Sequence, residues 1–232
     1  MKQIPNLLTC LNLLSGCIAV VFVMAGEVQT GCYLVFLAAL FDFFDGFAAR
    51  ALNAWSPIGK ELDSLADVVS FGLVPGLIVY RILQRGDFPV AGQEWAFAAF
   101  LIPVFSALRL ARFNVDESQK TSFRGLPTPA CGLFIAALPA VADLSPALDA
   151  LFRNPVFMLP LTLVLSYLLI APLSLPSLKF SRDDRKGNRF RYIFLGMGLL
   201  LILLLNFAAI PVIIVLYLLS PVFIGKKNID RG

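Results

Sequence analysis

The sequence predicts an all-α, polytopic membrane protein: a bundle of about eight transmembrane helices with both termini in the cytoplasm. Three observations predict it. Of 232 residues, 59% are hydrophobic and only 15% charged, against about 25% charged in a soluble domain. The apolar residues gather in long runs, and a hydrocarbon core of about 30 Å needs roughly 20 apolar residues per helix. Finally, the basic residues collect on one side when the chain is threaded through a bilayer. Helices are the answer to such runs because lipid offers no partner to an open backbone.

Hydropathy places the spans near 10–26, 31–49, 64–84, 94–110, 127–143, 155–172, 192–206 and 208–224. The connection from Asn206 to Pro211 is short and apolar, so 192–224 reads either as two spans or as one span with a re-entrant piece. With the N-terminus inside and eight crossings, Lys2, Arg50, Lys60, Arg109, Arg112, Lys120, Arg124, Lys179, Arg182, Arg185, Lys186, Arg189, Arg191, Lys226, Lys227 and Arg231 are cytoplasmic. Those are 16 of the 19 basic residues, the asymmetry that the positive-inside rule describes. Arg81, Arg85 and Arg153 remain outside. The expectation is one membrane-embedded domain over 1–232, with a core of about 1–172 and an added helical hairpin at about 192–225. Lys2 is the only charge before Glu27 and no clean cleavage site precedes Glu27, so the first span reads as retained. The expected location is the cell (inner or plasma) membrane.

Composition also excludes functions. There is no histidine, and Cys10, Cys17, Cys32 and Cys131 form no CxxC or CxxH pair, which removes the usual zinc and iron sites and every His-dependent nucleophilic arrangement. The net charge of +4 is spread over membrane loops, so it reads as topology and not as a nucleic-acid surface. The dense loop from Lys179 to Arg191 is a cytoplasmic anchor or, on a sharper reading, an attractor of anionic lipid.

Four acids carry the chemistry. Asp42 and Asp45 are spaced i, i+3, and Asp63 and Asp67 i, i+4, so each pair shares a helix face. The short stretch around Asn53, Trp55, Pro57 and Gly59 joins the two helices as antiparallel neighbours, and the four carboxylates can converge at similar depth. Clustered carboxylates in low dielectric repel one another, and intramembrane ionisable groups mark function. Oxygen-only ligands suit Mg²⁺, Mn²⁺ or Ca²⁺, and two such ions bridged by carboxylates form a clamp for phosphoryl chemistry. Gly46 and Ala49 leave room beside the acidic face, Gly59 lets the second helix start close by, and Arg50 is placed to neutralise a phosphate.

The pattern Asp42-x2-Asp45-Gly46-x2-Ala49-Arg50-x8-Gly59-x3-Asp63-x3-Asp67 resembles, at every fixed position, the signature of the CDP-alcohol phosphatidyltransferases, a family that joins a CDP-linked lipid to an alcohol and releases CMP. The resemblance implies that Asp42, Asp45 and Asp63 ligate two divalent cations, with Asp67 as ligand and general base; Asp63 and Asp67 are the expected catalytic pair. It implies contacts from Gly46, Ala49 and Arg50 to the CDP moiety, with Gly59 beside them, and it suggests a homodimer.

A second polar stretch bears on the acceptor alcohol. Arg109 and Arg112 end the fourth span in LRLARFN, and Ser122, Phe123, Arg124, Gly125 and Pro127 follow in SFRGLPTPA. Arginine suits planar carboxylate or phosphate recognition, and irregular backbone at membrane depth is tolerated where it lines a cavity; a proline-rich helix start with topology arginines is the blander reading. Both runs, and the opening Pro5-Asn6-Leu7-Leu8-Thr9 with Asn12, are similar to motifs of the serine-using branch of the family. That branch implies CDP-diacylglycerol and L-serine as substrates, phosphatidylserine as product and a site facing the cytoplasm. Asn12 faces the nucleotide or packs helices; both readings stay open. Another acceptor (glycerol 3-phosphate or inositol phosphate) and an ion-coupled transporter are the alternatives.

Overall fold

The computed structural model describes residues 3–85, 93–115, 125–173 and 185–224, with backbone alone for 93, 185–191 and 222–224. Every regular element among them is helical. Helix α1 (Ile4–Ala25) opens on Pro5, whose missing N–H costs nothing in a first turn. It ends at Gly26, which takes a left-handed φ of 95°. The chain reverses there into α2 (Val28–Ala51). Gly31 admits the Val23 side chain against its backbone, the close approach that small residues allow between membrane helices.

Asn53, at φ 48°, turns the chain again. Ser56 caps α3 (Pro57–Asp67), its hydroxyl accepting from Gly59 N at 3.0 Å. Immediately after Asp67 the helix widens into a π-helical segment, Val68–Leu73, then resumes as α4 (Val74–Arg85). π-bulges often accompany functional sites. This one packs where neighbours are smallest: Gly16 against Ser70, Gly132 against Phe71, and Gly72 against Pro103 and Ser106. A 3₁₀ segment, Gln93–Phe100, leads into α5 (Leu101–Val115).

Gly125 (φ 76°) donates its N–H to Leu173 O at 2.9 Å, and Leu126 N donates to Leu168 O at 2.8 Å. This pins the run before α6 (Thr128–Ala142) to the end of α8 (Pro155–Ile170). Helix α7 (Pro146–Arg153) precedes α8 and meets it at 70°. The core gathers Phe71, Ile78, Ile102, Leu126, Ile135, Met158 and Leu169, none more than 1% exposed.

Hydropathy leads to an expectation of eight crossings. Among the described residues five helical stretches are long and apolar enough to cross a membrane, or six if the bent α7–α8 pair counts as one; α6 has only 15 residues. One of the five, Tyr192–Pro221, is folded upon itself. Its halves belong to α9 (Arg185–Leu205) and α10 (Ala209–Ile224), joined through Asn206 at φ 50°. Phe194 and Tyr217 bring their rings to 6.0 Å, and Ile213 lies 3.8 Å from where a Gly198 Cβ would stand. In a straight helix those pairs would be more than about 20 Å apart, so the segment is a hairpin. It docks through Phe207, stacked on Phe36 of α2 at 4.4 Å.

Candidate active site

Helices α2 and α3 bring the four aspartates together beside α1. Asp42, Asp63 and Asp67 each place a carboxylate oxygen so that all three lie within 4.8 Å of one another. Asp45 adjoins them, within electrostatic reach of Asp42, Asp63 and Asp67. Its Oδ2 is 2.7 Å from the Thr9 hydroxyl, which also lies 3.0 Å from the Pro5 carbonyl. Asp45 and Asp67 are buried; Asp42 and Asp63 are half-buried and form the open side. Among the described residues no Lys or Arg comes within ion-pair distance of any of the four.

Asn12 is fully buried with neither amide atom hydrogen-bonded among the described residues, and its side chain is beside Asp67. Its carbonyl accepts from Ser70 Oγ at 3.0 Å, tying α1 to the π segment one turn beyond Asp67. Asp67 Oδ1 is likewise buried and unpartnered. Its backbone thus packs α1 on the π segment while its amide lies beside Asp67.

Arg109 and Arg112 part company. Arg112 is exposed. Arg109 turns inward, within electrostatic reach of Asp67; its Nη1 donates to Thr128 Oγ1 at 3.3 Å, and its Nε is buried without a partner. Ala49 is buried on α2, and the exposed Arg50 lies over Gly46, 3.9 Å from where a Cβ would stand. Gly59 faces Asn6 Oδ1, which would be 2.9 Å from an added Cβ. Gly125 lies in the run before α6, and Pro127 is the residue that precedes its first turn. Ser122, Phe123 and Arg124 lie outside the described residues.

Thr9, Thr128 and Asn114 lie inside the runs that the sequence singles out, but the sequence assigned no role to them. Asn114 Nδ2 donates to Ser64 Oγ at 2.9 Å and to Glu61 Oε2 at 3.2 Å, while Lys60 Nζ donates to the Asn114 carbonyl at 3.0 Å. This clasp holds α3, with Asp63 and Asp67, against α5, with Arg109. A polar residue inside an apolar run was the available signal, but its partners lie about fifty residues away in sequence.

Residues 2–172 match the family described as CDP-alcohol phosphatidyltransferase. The chain belongs to that family. It is 31% identical over 179 residues to the CDP-diacylglycerol–serine O-phosphatidyltransferase of Bacillus subtilis (strain 168), covering 77% of this chain and 93% of that one. Against the enzyme of the same name from Helicobacter pylori (strain J99) identity is 35% over 133 residues, 56% of this chain and 54% of the relative. The archaetidylserine synthase of Methanothermobacter thermautotrophicus gives 35% over 136 residues, 58% and 56% respectively. The match thus spans about half the length of the latter two.

For a phosphatidyltransferase of this family the donor set is chemically apt. Carboxylates with a buried oxygen that accepts no hydrogen bond, and with no Lys or Arg in ion-pair distance among the described residues, suit a hard divalent cation. Without one, the buried like charges would be strongly unfavourable.

Proposed function

We propose that this chain transfers the phosphatidyl group from CDP-diacylglycerol to the hydroxyl of L-serine, giving phosphatidylserine and CMP. The observation that carries the reading is the convergence of Asp42, Asp63 and Asp67 beside Asp45 in a chain whose relatives bear serine-transferase names. Two divalent cations, Mg²⁺ or Mn²⁺ (with Ca²⁺ able to stand in), are held by Asp42, Asp45, Asp63 and Asp67. Bound there, they supply charge neutralisation for the pyrophosphate and for the departing CMP.

Asp67, through its free Oδ1, takes the serine hydroxyl proton. The serine oxygen forms a bond to the lipid-side phosphorus, and the bond from that phosphorus to the bridging oxygen breaks, so CMP leaves with the electron pair. Asp67 then returns its proton to water. Asp45, oriented by Thr9, and Asp63 hold the geometry. Arg50 over Gly46, together with Ala49, Gly59 and Asn12, receives the CDP moiety. Arg109 fixes the serine carboxylate, aided by the 122–130 stretch. Positioning and fixed charge supply most of the rate.

The site faces the cytoplasm in this reading, with both termini inside and eight apolar segments in the bilayer, because 16 of 19 basic residues then fall on the inner side. We place the protein in the cell membrane as a homodimer. An acceptor panel tests the substrate: purified protein with CDP-diacylglycerol should release CMP with L-serine and not with glycerol 3-phosphate or inositol phosphate. Release with either of those alone would move the reading to a sister enzyme with the same metal chemistry. Metal-dependent CMP release with any acceptor would exclude a transporter.

A further inference from the structure

A cavity of about 330 Å³ opens at the end of the bundle remote from the aspartates, where α2, α4, α6 and α7 meet beside the end of α1. Asn12 to Gly26 and Asp67 to Arg81 are each 14 residues along helical chain, about 20 Å. Arg81, Arg85 and Arg153 line this cavity, and they are the three basic residues that charge asymmetry leaves on the outer side. Glu27, Asp143 and Asp149 share the wall.

Part of that charge is already satisfied. Arg153 Nε pairs with Asp149 Oδ1 at 2.8 Å. Arg85 Nη2 reaches the Gly26 carbonyl at 3.5 Å, at the negative end of the α1 dipole. Arg81 is different: Nη1 bonds Gln84 at 3.4 Å, but Nε is buried without a partner. Glu27 and Asp143 form no ion pair among the described residues. One half-open space is therefore lined by an arginine whose Nε has no partner and by two exposed carboxylates in no ion pair among the described residues. A simple anion would meet the acids, and a simple cation the arginines; a ligand carrying both signs satisfies each.

We propose that this cavity binds the zwitterionic head group of a membrane phospholipid, its phosphodiester on Arg81 and Arg85 and its ammonium on Glu27 and Asp143. The location fits, because the cavity is built at the ends of α1, α4 and α6, the depth at which lipid head groups meet a spanning bundle. Arginine suits a phosphodiester because its fork presents two parallel donors.

Native mass spectrometry of the purified full-length protein tests it, with phosphatidylethanolamine and phosphatidylglycerol of identical acyl chains as probes. The wild type is expected to retain the ethanolamine lipid at least fivefold better. Arg81→Gln should cut that retention at least fivefold while CMP release stays within twofold. Glu27→Gln with Asp143→Asn should keep phosphodiester binding but abolish the preference between the two lipids. Soluble glycerophosphoethanolamine should displace the lipid where inorganic phosphate does not. Equal retention of both lipids by the wild type would overturn the proposal, as would displacement by phosphate alone. If Arg81→Gln does not fold, the acid double variant decides, and an unchanged lipid preference overturns the proposal.

Discussion

Thr9 illustrates how a single hydroxyl tunes the acid cluster. Its bond to Asp45 fixes one carboxylate oxygen, and a hydrogen bond to a charged group contributes about 1.5–3 kcal/mol. Thr9→Val is therefore expected to raise the metal concentration for half-maximal CMP release by about tenfold, since 1.4 kcal/mol corresponds to a factor of ten; a metal titration reads it. The two arginines of LRLARFN should separate as their side chains do. Arg109→Lys is expected to raise the KM for serine at least tenfold, because lysine cannot reproduce a planar fork, and Arg112→Lys to leave it within about threefold. Equal effects would contradict their division. At this scale the aspartates were legible because i, i+3 and i, i+4 spacing alone puts carboxylates on one face. The difference between Arg109 and Arg112 was not, because inward and outward turns depend on Thr128, a residue contributed by another helix.

Close helix approach is what sets the acids at their depth. The π segment after Asp67 leaves no trace in hydropathy, since Val68–Leu73 reads like any apolar turn, and only its glycine contacts reveal it. A Cβ at Gly132 would lie 2.8 Å from Phe71 Cβ and 2.9 Å from its Cα. Gly132→Ala should therefore destabilise the protein by about 1–3 kcal/mol, the usual cost of overpacking, and lower turnover with it. Gly196 has nothing within 4 Å, so Gly196→Ala serves as the matched control and should not lower thermal stability in detergent. Asn114→Leu removes the two side-chain bonds of the α3–α5 clasp, to Ser64 and Glu61, while the Lys60 bond to its carbonyl stays, and it should slow turnover at saturating serine. The existence of these helices was readable from their apolar runs. The break near Asn206 was readable as one of two alternatives; the 70° bend at α7–α8 was not, since it comes from tertiary packing and capping residues.

Across the whole molecule, charge and chemistry divide the two ends of the bundle. The acids gather near the α2–α3 turn, and Arg81, Arg85 and Arg153 line the cavity at the opposite end. Helical class was legible from composition and run length, because lipid admits only helices and closed barrels and continuous apolar runs of about 20 residues fit helices. The hairpin of α9 and α10 was legible as a possibility, while its docking through Phe207 onto Phe36 required the fold. The cytoplasmic placement of the acids is tested by single cysteines in a background without Cys10 and Cys17: one at Arg50 should react with an impermeant reagent only in inverted vesicles, and one at Arg153 only in right-side-out vesicles. The central claim is that Asp67 moves a proton inside a metal-binding acid cluster. Serine-dependent CMP release from CDP-diacylglycerol, compared between wild type and Asp67→Asn at saturating metal, tests it most directly. A loss of about 10²–10⁴ in turnover is expected, in a variant that still folds; near-normal turnover of Asp67→Asn would contradict it.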